Sequence, residues 1–193
     1  MLRATRLGRT TDSMHDSWPY RKDLAEFAED FEHRRTRQLW RKDSLAKAER
    51  MLFVGFLFVR KLIESRKVTD ACARASIAVS RSSIVRDYEV SDFKRDDLEK
   101  DLLHAVWAES KVDVHQLADK VLHAWWLMPV QGAGAGLEGF ILTTDRQRNT
   151  ELWLLPTNSI VAVYKQFASG DINRLEMSRD NDGRLISPDA NCL

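Results

Sequence analysis

The segment Met51-Leu-Phe-Val-Gly-Phe-Leu-Phe-Val59 constrains this chain more than any other. Wound as a helix it is apolar almost all round, so it has to lie at the centre of a core. It cannot cross a membrane: Arg60 and Lys61 close it far short of the roughly 20 apolar residues a span requires. The surrounding stripe of Leu45, Ala48, Leu52, Gly55, Phe56, Val59, Leu62 and Ile63 predicts a helix from about Asp43 to Arg66. Arg60 and Glu64, four apart, are spaced for an ion pair.

A helix this apolar needs partners, and the chain supplies them on both sides. Ser17 as cap and Pro19 in the first turn open an earlier helix carrying Leu24, Phe27 and Phe31, acidic early and basic late. The two are expected to pack as an antiparallel hairpin. Lys67 to Val90 reads two ways: Ala71 to Ala78 fits a helix, while Ser76 to Ile84 alternates well enough for a strand. Ser91 begins an acidic stretch that reads as helical through Leu98, Leu102, Leu103, Val106 and Trp107. Asp113 caps a further predicted helix to about Trp126, buried through Leu117, Ala118, Val121, Leu122 and Trp125.

After Pro129 the period changes. Gly139–Asp145 and Thr150–Leu155 predict a β-hairpin, and Ile160–Phe167 a short helix. Arg174–Ser178 with Arg184–Ser187, around Asp-Asn-Asp-Gly183, suggest a second hairpin. The expected fold is therefore α+β: an N-terminal antiparallel helical hairpin or bundle, then a small antiparallel β-hairpin module with a short helix. Residues 1–17 read as a flexible tail, or as preceding a start at Met14, residues 18–128 as the helical core, and 129–193 as a small module packed on it. All 193 residues suit one cooperative domain.

The net charge of +1 hides a split. Residues 1–86 hold 19 Lys+Arg against 11 Asp+Glu, and residues 87–193 hold 11 against 18. Either a polyanion partner or mutual attraction of the halves accounts for this. Cys72 and Cys192 are too few for a disulfide framework, and with no signal-peptide core a cytoplasmic setting is expected.

Several patterns bear on chemistry. Gly134-x-Gly136-x-x-Gly139 matches a dinucleotide fingerprint in letters, but a helix is expected before it and a strand after it, the reverse of what pyrophosphate binding needs. His115, Asp119 and His123 recur at i, i+4 and i+8, a weak candidate metal stripe lacking a further ligand. The run His33–Lys42 places Arg34, Arg35, Arg37, Arg41 and Lys42 around Trp40, a combination that suits nucleic acid. Trp107, Trp125 and Trp153 fall on predicted core faces. Adjacent Trp125 and Trp126 on a helix would point about 100° apart, leaving one for an interface. No nucleophile elbow, Cys/His pair or phosphate loop is present, and no cofactor is expected.

Two stretches together, AERMLFVGFLFVRKLIESRKVTD and QLADKVLHAWWLMPV followed by GFILTTDRQRNTELWLLP, resemble small uncharacterised bacterial proteins whose helical part is HEPN-like. That resemblance implies an RNA-cleaving Arg-x4–6-His motif on a late helix. Here only the histidine carries over, as His123, because Gln116 to Leu122 contain no arginine. Arg60, from another helix, or Lys120 would have to supply the cation.

The function expected first is a non-catalytic interaction or regulatory protein. It would be homodimeric, contact nucleic acid or an acidic protein through its basic front helix, and have no membrane partner. The alternative is a HEPN-like ribonuclease, acting as a toxin or defence effector through His123 with Arg60 or Lys120.

Overall fold

A computed structural model describes residues 17–37, 42–84, 98, 102 and 104–169, and two short strands beyond them. The tail before Ser17, Trp40, Arg41, Cys192, most of the acidic stretch after Ser91 and the expected strand 184–187 lie outside the described residues.

Helices α1 (Trp18–Arg35) and α2 (Lys42–Glu64) lead the fold. A one-turn α3 (Asp70–Ala73) precedes β1 (Ser76–Ser83) and β2 (Ala108–Asp113). Then come α4 (Val114–Leu122), β3 (Ala124–Gln131), β4 (Leu137–Thr144), β5 (Glu151–Pro156) and α5 (Thr157–Ser169). Strands β6 (Arg174–Glu176) and β7 (Asp189–Asn191) pair with each other.

The first five strands form one antiparallel sheet in the order β2-β1-β5-β4-β3. Helix α4 joins one edge strand to the other and so must cross a face of the sheet. That face and all four long helices share one core, including Leu24, Phe31, Leu52, Phe56, Leu117, Val121, Phe140, Leu142, Trp153 and Tyr164.

The α+β class holds, with helices ahead of an antiparallel sheet, but the sheet is larger than a hairpin module and begins well before Pro129. Strand β2 occupies a stretch the sequence left without a strand. The helix expected to reach Trp126 stops at Leu122, with His123 as its C-cap, and β3 follows at once. Trp125 is the extra residue of a β-bulge between the pairs Ala124–Thr144 and Trp126–Thr143. Both tryptophans consequently pack on the outer sheet face with Ile141, Leu152 and Leu98, rather than 100° apart on a helix. Trp107 joins that outer cluster, while Trp153 faces the helices. Gly134 and Gly136 lie in the β3–β4 turn, in which Gly132 N–H donates to the Gly136 carbonyl, and Gly139 is already in β4, paired with Val130. A Cβ on Gly136 would run into the Arg35 carbonyl at the end of α1.

Helices α1 and α2 are antiparallel: Tyr20 and Phe58 rings lie 5.2 Å apart at one end, and Asp30 meets Lys47 at 2.7 Å towards the other. Ser17 does not cap α1 with its side chain; its hydroxyl accepts from Arg21 Nε instead. Arg34 also bonds Asp30, and its Nη1 donates to the Ser44 carbonyl at 2.7 Å, tying the end of α1 to the start of α2. Burial pushes the Asp30 carboxyl up, but bonds from Lys47 and Arg34 outweigh this and hold it below its ordinary range. A depressed folded pKa stabilises above the unfolded value and loses that contribution as pH falls through the folded one. Asp30→Asn is thus expected to cost about 1 kcal/mol or less at neutral pH. In urea melts across a pH series, that deficit should start to shrink below about pH 4 and vanish once pH is below the depressed folded pKa. A deficit independent of pH would contradict it.

Among the described residues no helix is long and apolar enough to cross a membrane.

Candidate functional site: a cleft at the end of helix α4

Local structure fixes where α4 begins and ends. The Asp113 carboxylate accepts from Gln116 N–H at 2.7 Å, capping the first turn. Val114, Leu117, Ala118 and Val121 face the core, which leaves Gln116, Asp119, Lys120 and His123 along the rim. Because α4 leads straight into β3, and β3 starts beside the end of β4, this rim meets the β4–β5 turn. Gln147 N–H donates to the Thr144 carbonyl and Thr150 N–H to the Gln147 carbonyl, so the turn is itself hydrogen-bonded. Arg60 completes the wall from α2. The resulting cleft, about 720 Å³, is lined by Arg60, Gln116, Asp119, Lys120, His123, Thr144, Asp145 and Arg146.

The structure therefore lines one cleft with Arg60, Asp119, Lys120 and His123, all of which the sequence singled out, Asp119 in the metal stripe with His123 and the others in the ribonuclease reading. Arg60 is heavily engaged: Nε donates to Glu64 at 2.7 Å and Nη1 to Asp119 at 2.9 Å. The bond to Glu64, with Asp119 adding, reinforces its positive charge. Asp145 is answered by Arg148 at 3.1 Å, and the Arg148 guanidinium lies 5.1 Å from the Trp125 ring centre. Two cations remain without a carboxylate partner among the described residues. Lys120 Nζ bonds the neutral amide oxygen of Gln147, and Arg146 is exposed with no polar partner. Burial pushes the Lys120 ammonium pKa down, opposed by the charges of Glu151 and Asp119 and assisted by that of Arg81.

Other expected sites do not assemble. His115 is exposed on the first turn of α4 and lies outside the cleft, while His123 has left the helix. Asp119 is spent on Arg60, and among the described residues no three potential ligands gather for a metal. The basic end of α1 is also less available than its composition suggests. Arg34 is only 3% exposed and serves Asp30 and Ser44, so it is a bridge between helices rather than a phosphate contact. Arg35 and Arg37 are exposed, and Arg37 donates to Ser44 Oγ at 3.3 Å. Of Lys42 the structure describes the backbone alone.

Thr144, Asp145 and Arg146 escaped the sequence reading. Their signal was a turn, Arg-Gln-Arg-Asn, carrying two arginines directly after a core strand. Nothing in their spacing relates them to α4.

No family model, no curated protein and no solved structure matches this chain.

Proposed function

We propose that this protein is a non-catalytic binding protein that holds single-stranded nucleic acid by its phosphates in the α4 cleft. The observation that carries this reading is the pair Lys120 and Arg146, two cations in one open cleft that no carboxylate among the described residues bonds directly, the lining Asp119 and Asp145 being paired with Arg60 and Arg148. The ligand contact thus moves from the basic end of α1 to the opposite end of α4.

Anisotropy of a labelled 12-mer RNA and DNA across a salt series tests it. Two cations at about 0.7 counterions each give a log–log slope of roughly −1.4. Lys120→Ala/Arg146→Ala should flatten that slope and weaken binding at least tenfold, whereas Arg37→Ala should leave it unchanged. Binding that survives the double substitution, or an absence of salt-dependent binding, would overturn the proposal.

One observation favours a second reading, the HEPN-like ribonuclease: His123, Lys120 and Arg60 line the same cleft. A histidine beside two cations is the equipment for moving a proton at a held phosphate. The double ion pairing of Arg60 weighs against it. RNA fragmented by wild type but intact with His123→Ala would replace the binding proposal with this one. Intact RNA in both would reject it.

A further inference from the structure

Behind Lys120 lies a group of charges that does not balance. Trp153 is 3% exposed, and two cations cover it: the Arg81 guanidinium carbon lies 4.0 Å and Lys120 Nζ 5.1 Å from its ring centre. Both are drawn to the negative face of the indole, and both repel each other. Glu151 is the carboxylate that acts on both, since Asp119, which also acts on Lys120, is bonded by Arg60. Glu151 Oε2 already accepts from Trp153 Nε1 at 2.7 Å and from Gln147 Nε2 at 2.8 Å. Its Oε1 stands 3.8 Å from Arg81 Nη1, too far for a hydrogen bond.

The Arg81 Nε atom is buried with no hydrogen-bond partner. Native proteins rarely leave a guanidinium donor in that condition, because its desolvation is then uncompensated. Gln147 bridges Lys120 to Glu151, so the amide keeps the lysine in place without adding charge. The cluster of Arg81, Lys120 and Glu151 thus carries one net positive charge at the wall of the cleft, where the Thr144 hydroxyl is also present.

We propose that this wall is a subsite for a phosphomonoester, held by Lys120 in the field of Arg81, so that the preferred ligand is a strand end bearing a terminal phosphate. An internal diester brings one negative charge. A terminal phosphate brings about −1.5 to −2 and three strong acceptor oxygens, enough to answer the cluster's surplus charge with charge-assisted hydrogen bonds. The inference rests on the reading of the cleft as a phosphate-binding site and goes further in naming which phosphate.

Titration calorimetry of the full chain decides it, using one 12-mer sequence with a 5′-phosphate, with a 3′-phosphate and with neither. Inorganic phosphate and pyrophosphate alone serve as further probes. At least one terminal phosphate should tighten binding about tenfold. Arg81→Gln should reduce that ratio to about two or below. Glu151→Gln, which removes the competing carboxylate, should raise it and provides a second variant should Arg81→Gln not fold.

A wild-type ratio within twofold for both ends would overturn the subsite. If strand binding stayed salt-dependent and sensitive to Lys120→Ala/Arg146→Ala, the proposed function would survive that failure. Conversely, inorganic phosphate or pyrophosphate binding lost in Lys120→Ala, with no strand bound by any variant, would support the subsite and remove the strand. No binding of any probe would remove both.

Discussion

Gly55→Ala is expected to lower stability by about 3 kcal/mol, the upper end of the cost of overpacking a core. For a chain of this length that corresponds to a fall in Tm of roughly 6–12 °C. On helix propensity alone the substitution should help by about 1 kcal/mol, since glycine is poor in a helix interior. Packing decides the sign. Tyr164 is fully buried, and its ring sits where the Gly55 side chain would be. A Cβ there would lie 2.7 Å from Cε2 and nearer still to Cζ and Oη. The hydroxyl is fixed as well, set to donate to the Leu52 carbonyl at 2.9 Å with the Met51 carbonyl at 3.2 Å. The ring is further held among Phe27, Phe31 and Phe56, with centres 5.5–6.5 Å away. With no space to retreat into, ring or helix has to shift, and the hydroxyl loses its bonds at a cost of about 1–3 kcal/mol. Thermal and urea melts measure the effect. A Gly55→Ala protein as stable as wild type would show that propensity wins and that this packing account is wrong. Tyr164→Leu should make Gly55→Ala cheaper, giving a double-substitution cost below the sum of the two single ones.

That contact shows what could be read from the chain and what could not. Gly55 stood in the apolar stripe of its helix, and the stripe correctly placed α2 at the centre of the core. Nothing in the stripe says that Tyr164, more than a hundred residues later, takes the missing side chain's place. Strand β1 was only half legible, since Ile77 and Val79 alternate but the buried Ser82 breaks the period; α1, α2, the β4–β5 hairpin and α5, whose apolar period is undisturbed, were legible for that reason.

The two edge strands were not. In β2, Ala108 to Asp113 holds Val112 as its one buried residue, too little for an alternating pattern. In β3 the opposite happens. Ala124 and Leu127 pack towards the helices while Trp126, Met128 and Val130 pack outward, so apolar side chains occupy both faces. The bulge at Trp125 removes what alternation remained, and a continuous apolar run after a helix reads as more helix.

The cleft divides the same way. Asp119, Lys120 and His123 were visible because one short segment carries them, and Arg60 because it interrupts the apolar run. Arg81, Gln147, Glu151 and Trp153 converge only through the pairing of β1 with β5 and the fold of the turn, which spacing along the chain does not encode. Charge was the least reliable guide. Arg34 belongs to the most basic stretch of the sequence and yet is buried, because Asp30 one turn earlier and Ser44 on the next helix consume its donors.

Arg21 is the second such arginine, and Arg21→Met is expected to cost about 3 kcal/mol. It is 7% exposed at the start of α1, and its guanidinium reaches three separate parts of the chain. Nε donates to Ser17 Oγ at 3.2 Å, Nη1 to the Phe167 carbonyl at 2.6 Å and Nη2 to the Lys67 carbonyl at 2.7 Å. The Phe167 carbonyl belongs to the last turn of α5, where carbonyls have no partner within their own helix. A cation there also suits the negative end of the helix dipole. The Lys67 carbonyl lies just beyond α2, so one side chain closes the ends of two helices. Methionine keeps much of the apolar stem, which confines the loss to the guanidinium. Each bond from a charged donor contributes about 1.5–3 kcal/mol, partly recovered where water reaches the freed carbonyls. Lysine should restore less than half, since one ammonium cannot reproduce a planar fork aimed at two carbonyls. Urea unfolding with an unchanged m-value would confirm a change in stability rather than in the denatured state. A Met variant within 1 kcal/mol of wild type would mean that water replaces the guanidinium at both helix ends, and that α1 is held to α5 by its apolar face and the Glu32–Lys165 ion pair without help from Arg21.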